Sequence, residues 1–164
     1  MNALQYCILK LVSDQNDREI DVFLDKKGNS GKTWLAKHLW EKGDVYYVPR
    51  SASGSGKISA DCCLNCGQSK YIIIDVMRDK KFDSSFYSDI EELKDGLVSD
   101  VRWYGKQRNI SGRKLIIFTN QPLDTKRLSQ DRWRLHNTNL RDLEMELHEK
   151  KIKRIQHSMK NIKK

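Results

Sequence analysis

The chain has 164 residues, is 38% hydrophobic and 32% charged, and carries a formal net charge of +9. That length holds one domain with a proper core, or one domain plus a tail. No apolar run approaches the ~20 residues that span a bilayer, and residues 1–10 lack the basic start, apolar centre and small-residue cleavage site of a secretory signal, so no membrane partner and an intracellular location are expected.

In chain order, apolar residues Leu4, Cys7, Ile8, Leu11 and Val12 recur at helical spacing and predict a short helix over 4–12. A polar turn leads to a strand over 20–24, and a helix over 33–42 is closed by Gly43. Val45, Tyr46, Tyr47 and Val48 form a second strand ended by Pro49. The stretch 50–57 is small and flexible, and its Gly54-Ser55-Gly56-Lys57 imitates a phosphate loop without an abutting strand. A short helix and turn follow over 58–67. Tyr71 to Val76 is a continuous apolar run broken only by Asp75, the pattern of a strand buried on both faces. A helix is expected over 88–97, an extended aromatic stretch over 101–104, a turn at Gly105-Lys106, and another buried strand over 114–120. Residues 128–133 read as a loop or single helical turn, 134–136 as a short strand, and 140–162 as a long helix with apolar positions 140, 143, 147, 152, 155, 159 and 162. The one five-residue step in that series argues against a strict coiled coil. Strands alternating with helices, the central strands wholly apolar, give an α/β fold with a parallel sheet covered on both faces.

Charge and cysteines add two expectations. Residues 149–164 hold seven Lys/Arg and one acid, a net of +6, leaving +3 for the other 148 residues. Such a basic C-terminal stretch (140–164) suits a polyanion or a solvated helix end. Cys63 and Cys66 have metal-ligand spacing and Cys62 adjoins them, but no second knuckle exists to complete a zinc site, so reduced, partly buried thiols are expected alongside Cys7.

The chemistry concentrates in Gly28-Asn29-Ser30-Gly31-Lys32-Thr33, set between the first strand and the following helix. Small residues let backbone N–H groups point at a phosphate, the helix aims its positive end there, Lys32 reaches outer phosphates, and the Thr33 hydroxyl is a Mg²⁺ ligand. Lys26 stands where the usual pattern has its first glycine. Asp75 ends the isoleucine strand, and in a parallel sheet that end lies on the same edge as Lys32 and Thr33. A carboxylate there suits nucleotide-bound Mg²⁺. Asn120 ends the apolar strand over 114–120, where an amide orients water or senses a γ-phosphate.

The order of the loop, Ile72-Ile73-Ile74-Asp75 and Ile116-Ile117-Phe118-Thr119-Asn120-Gln121-Pro122 resembles the superfamily 3 helicases. It is more closely similar to the helicase domain of rolling-circle replication initiators (Rep proteins) of small circular single-stranded DNA viruses and related plasmids, a match that Asp89 to Gly96 and Ser129 to Trp133 support. The resemblance covers 4–139 and implies a P-loop ATPase of the AAA+ type, forming a ring, usually a hexamer, that uses ATP and Mg²⁺ to translocate on single-stranded DNA. It makes Lys32 and Thr33 nucleotide and magnesium residues, Asp75 the Walker B carboxylate, Asn120 the polar sensor, and Lys106 a phosphate contact on a DNA-binding hairpin with Trp103, Tyr104 or Arg108 nearby. Arg132, twelve residues after Asn120, falls where relatives carry an arginine that enters the neighbouring subunit's site, with Arg134 as the substitute. The location implied is a host nucleus for a virus and cytoplasm for a plasmid.

Two departures stand out. Val76 replaces a second acidic residue found in many relatives, leaving Asp79 and Asp61 as weak candidates to polarise water. The initiators' endonuclease motif, a His-hydrophobe-His metal site with a nucleophilic Tyr, is missing, so an excerpt or a stand-alone helicase is expected. Two other readings stay open: a small nucleotide kinase, which would need a phosphoacceptor pocket, and a nucleic-acid-binding adaptor with a vestigial ATP site.

Overall fold

The computed structural model describes residues 1–50, 57–78, 82–102 and 105–162, with side chains through 159. Its elements are α1 (Ala3–Ser13), β1 (Ile20–Leu24), α2 (Lys32–Glu41), β2 (Val45–Tyr47), α3 (Lys57–Asn65), β3 (Tyr71–Asp75), α4 (Ser84–Asp95), β4 (Leu97–Asp100), β5 (Lys106–Asn109), β6 (Lys114–Thr119), β7 (Trp133–Asn137) and α5 (Leu140–Ile162). One sheet has the order β2-β3-β6-β1-β7, and every neighbouring pair in it is parallel. The strands β4 and β5 form a separate antiparallel pair.

Strand alternation builds two cores. Ile20, Val22, Ile72, Ile74, Leu115 and Ile117 face α3, α4 and the β4–β5 pair, while Phe23, Val45, Ile73, Ile116 and Phe118 face α1, α2 and α5. Because successive strand residues point to opposite faces, a strand covered on both sides must be apolar throughout, which is why β3 and β6 read as unbroken runs. Each fully buried Ile or Phe contributes about 2 kcal/mol from burial. The three cysteines of the 62–66 stretch are free thiols in the first core, and Cys7 is a free thiol in the second. Among the described residues no cluster of three His, Cys, Asp or Glu could hold a metal, and no helix is long and apolar enough to cross a membrane.

Two boundaries differ from expectation. The helix predicted over 88–97 starts four residues earlier and ends at Asp95. Asp83 caps it, its carboxylate accepting the Phe86 N–H at 2.9 Å, and Gly96 closes it in the left-handed region at φ +83°. Leu97 therefore leaves the helix and opens β4. The strand β4 lies just ahead of the extended stretch expected at 101–104, with Val98 buried in the first core, and the described residues 101 and 102 are not in a strand. Residues 103–104, including the aromatic Trp103 and Tyr104, lie outside the described residues, as do 51–56 of the second glycine-rich stretch and Asp79.

Beneath β1 and β7 lies a buried ionic cluster that fastens α5. The Asp21 carboxylate is fully buried and accepts from Gln15 Nε2 at 2.6 Å, with His136 Nε2 at 2.6 Å and Arg134 Nε at 3.1 Å. The other ring nitrogen of His136 meets Glu146 of α5 at 2.7 Å, and Glu146 also pairs with Lys150. Arg134 further contacts Glu19 at 3.1 Å. Burial disfavours charge on His136, but the hydrogen bonds and proximity of Asp21 and Glu146 outweigh it and raise its pKa. A raised folded-state pKa stabilises fully below about pH 6.5 and is lost as pH rises through the folded value. Lys94, pushed down to about 8 chiefly by burial, has the opposite sign, adding stability as pH rises above 8. Urea unfolding at pH 6 to 8 should therefore show wild type losing stability relative to His136→Gln as pH rises; parallel curves for the two proteins would refute the charged bridge.

Candidate functional site: a glycine-containing loop at the carboxyl edge of the sheet

The loop after β1 is a run of left-handed backbone. Gly28, Asn29 and Gly31 have φ of +78°, +60° and +80°. Gly31 is also the N-cap of α2 and supplies no side-chain cap, so the first-turn N–H groups of a ten-residue helix are left for another acceptor. The Gln5 amide reaches across from α1 to the Gly31 carbonyl at 3.3 Å.

Asp25, directly after β1, organises the loop from within. Its carboxylate accepts the Gly28 N–H at 2.7 Å and the Ser30 hydroxyl at 2.6 Å, and it forms an ion pair with Lys32, whose ammonium also lies 3.2 Å from Ser30 Oγ. Both members are buried. Burial opposes ionisation of Asp25, but the bonds from Lys32, Ser30 and Gly28 prevail and hold its carboxyl below the usual range. The Asn120 side-chain amide donates to the Asp25 backbone carbonyl, tying the end of β6 to the same loop.

Asp75 sits across from this group. Its Oδ2 accepts from the Thr33 hydroxyl at 3.1 Å, the Tyr47 hydroxyl at 3.0 Å and Arg50 Nη2 at 2.8 Å. Arg50 is held more firmly protonated, first by its hydrogen bond to Asp75, and the Tyr47 hydroxyl is pushed up by burial and then by the Asp75 charge. Gly28, Asn29, Ser30, Gly31, Lys32, Thr33, Asp75 and Asn120 are thus gathered on one edge. The reason is topological: β1, β3 and β6 are parallel, so their carboxyl ends share that edge.

Other expected site residues lie elsewhere. Arg132 is buried against α4, with Nη2 2.9 Å from Asp95 and 3.6 Å from Glu91. Arg134 is in the cluster under β7. Asp61 on α3 accepts a hydrogen bond from the Tyr46 hydroxyl. Lys106 is exposed and opens β5 opposite Asp100. Arg108 on the same strand turns back to the Gly67 carbonyl at 3.4 Å.

Four residues at the loop escape sequence reading: Asp25, Tyr47, Arg50 and Arg78. The first three follow or end parallel strands, so the rule that picked out Asp75 also reaches them. Arg78 is different. Its guanidinium occupies the space a Cβ on Gly28 would need. Neither any family model nor any curated protein matches the chain.

The Asp25–Lys32 pair supplies a test. Removing one member of a buried pair strands the other charge and costs about 3 kcal/mol. Asp25→Ala and Lys32→Ala should each lower the urea-derived stability by that order, and the double variant should lose clearly less than the sum. Strictly additive losses would show the two groups to be uncoupled.

Proposed function

We propose that the chain is a Mg²⁺-dependent ATPase of the P-loop, AAA+ type, and that it works as the helicase domain of a replication initiator on single-stranded DNA. The observation that carries the reading is the hydrogen bond between Thr33 and Asp75, residues 42 positions apart, beside the glycine-containing loop that leads into Lys32. The order of strands supports it as well, with β6 and its Asn120 lying between the loop strand and the Asp75 strand.

The donor set fits the metal. Mg²⁺ in nucleotide sites takes one or two protein oxygens, with phosphate and water completing its shell, so Thr33 and Asp75 suffice without a larger cluster. When bound, the ion would neutralise charge on the β- and γ-phosphates. The chain's own residues do the rest. Loop N–H groups and Lys32 hold the triphosphate, Asn120 positions water at the terminal phosphate, and Arg78 adds positive charge over Gly28. Arg132 and Arg134 are each held in ion pairs, so service at a neighbouring subunit's site in a ring requires those pairs to open. Lys106 on the β4–β5 pair offers a cation to DNA phosphate, with Tyr104 and Arg108 near it in sequence.

One observation favours a second reading, a binding module with a vestigial ATP site. Lys32 and Asp75 are both already paired, with Asp25 and Arg50. Steady-state ATP hydrolysis with and without single-stranded DNA separates the two. An active enzyme should lose DNA-stimulated turnover in Lys32→Ala and in Thr33→Val, the latter replacing an exposed hydroxyl with a methyl of similar size. Lys106→Ala should weaken DNA binding with ATP affinity unchanged. DNA binding without any ATPase in the wild-type protein would select the vestigial reading.

A further inference from the structure

Beyond the loop, between the outward face of α2 and the end of edge strand β2, lies a pocket of about 520 Å³ lined by Thr33, Ala36, Lys37, Trp40, Tyr47, Pro49 and Arg50. That volume is within the range of small-ligand sites. Thr33, Lys37 and Trp40 are spaced at four and three residues, so they share one helix face. Trp40 is 63% exposed, an unusual placement for so large an apolar side chain. Lys37 is exposed as well, and among the described residues no carboxylate forms an ion pair with it.

The lining has a definite chemical character. Trp40 and Tyr47 provide aromatic rings, Ala36 and Pro49 further apolar lining, and Lys37 and Arg50 two cations. Arg50 is balanced by Asp75 and Lys37 is not, which leaves the pocket mouth positive. An aromatic ring attached to an anion matches this lining. A nucleoside phosphate is the common biological group of that form: bases stack on aromatic side chains irrespective of sequence, and lysine and arginine take the phosphate.

We propose that this pocket binds one nucleoside phosphate, either a unit of a single strand or a free mononucleotide, with the base on Trp40 and the phosphate at Lys37. The pocket adjoins Thr33 and Asp75, so its occupant sits next to the terminal-phosphate end of the loop. The proposal deepens the nucleotide reading by adding a second nucleotide-binding place on the far side of Thr33, and it depends on that reading only for what the neighbouring loop holds.

Photocrosslinking tests it, with a dT oligonucleotide carrying one 5-iododeoxyuridine and with 5-iododeoxyuridine monophosphate as the probes. Binding of a fluorescent ATP analogue is measured separately on the same proteins. Crosslinks to Trp40 or Tyr47 are expected, with affinity falling about tenfold in Trp40→Ala and in Lys37→Glu while the ATP analogue binds as in wild type. Crosslinking by the oligonucleotide alone assigns the pocket to a strand, and equal crosslinking by the monophosphate assigns it to a free nucleotide. Probe affinity unchanged in both variants and crosslinks confined to other peptides overturn the proposal, whatever the ATP analogue does. A smaller assembly size in Trp40→Ala, with crosslinking unaltered, makes the patch a protein interface and likewise overturns it. Loss of ATP-analogue binding in wild type would sink the nucleotide reading and leave the crosslink result standing by itself.

Discussion

Strand β1 is hydrogen-bonded on both sides, to β6 and to β7, and the geometry at the loop follows from that constraint. A central strand has no freedom to slide, since a one-residue slip would move Phe23 and Val22 to the wrong cores. Its last residue is therefore fixed, and the Asp25 N–H is fixed with it, bonded to the Thr119 carbonyl at 2.9 Å. The loop departs from a rigid point and returns to a rigid helix, whose inward residues Leu35, Ala36 and Leu39 are anchored in the second core. Backbone in the left-handed region is open to glycine and, among residues with a side chain, easiest for asparagine. Asn29 holds that conformation between two fixed ends.

What the sequence discloses and what it hides divides along sequence separation. Gly-Lys-Thr after an apolar strand is a local signal, and so are Asp75 and Asn120 at the ends of Ile-rich runs. Each needs only a few neighbours to be recognised. The contacts that neutralise these groups are not local. Arg50 and Asp75 are 25 residues apart, and Gln5 and Gly31 are 26. No periodicity predicts which arginine turns toward which carboxylate. Arg132 illustrates this: its position after Asn120 is legible, but its direction is set by Asp95 on α4, an element that ends two residues before its leucine spacing predicts. Gly96 carried the information, because a glycine in the left-handed region ends a helix more decisively than leucine spacing extends it.

The ionic cluster under β7 shows the same division in the core. Asp21 in a central strand breaks an apolar pattern and looks like an error from sequence alone. Its partners come from two distant places, Gln15 from the turn after α1 and Arg134 and His136 from β7. A buried carboxylate is tolerated only when its lone pairs are filled, and here a ring nitrogen, a guanidinium and an amide fill them. The result joins β1, β7 and α5 through Glu146, which gives the long basic helix a specific seat on the body rather than a slippery apolar one.

Lys26 in place of the expected glycine now has a physical account. A glycine at that position would let the chain turn freely, whereas here the turn is held by a side chain, with Asp25 accepting the Gly28 N–H and the Ser30 hydroxyl. Lys26 is exposed and has no steric part in the turn. The device has an electrostatic consequence. The carboxylate of Asp25 already pairs with Lys32 and draws on one of the loop's N–H groups, so any incoming anion competes with an internal one for the same donors. Asp75 is in the mirror situation, its charge met by Arg50, so any incoming cation competes with a guanidinium. Both ends of the site are charge-balanced within the chain, and a ligand bringing negative and positive charge together meets less opposition than either ion alone, because each half releases a partner for the other.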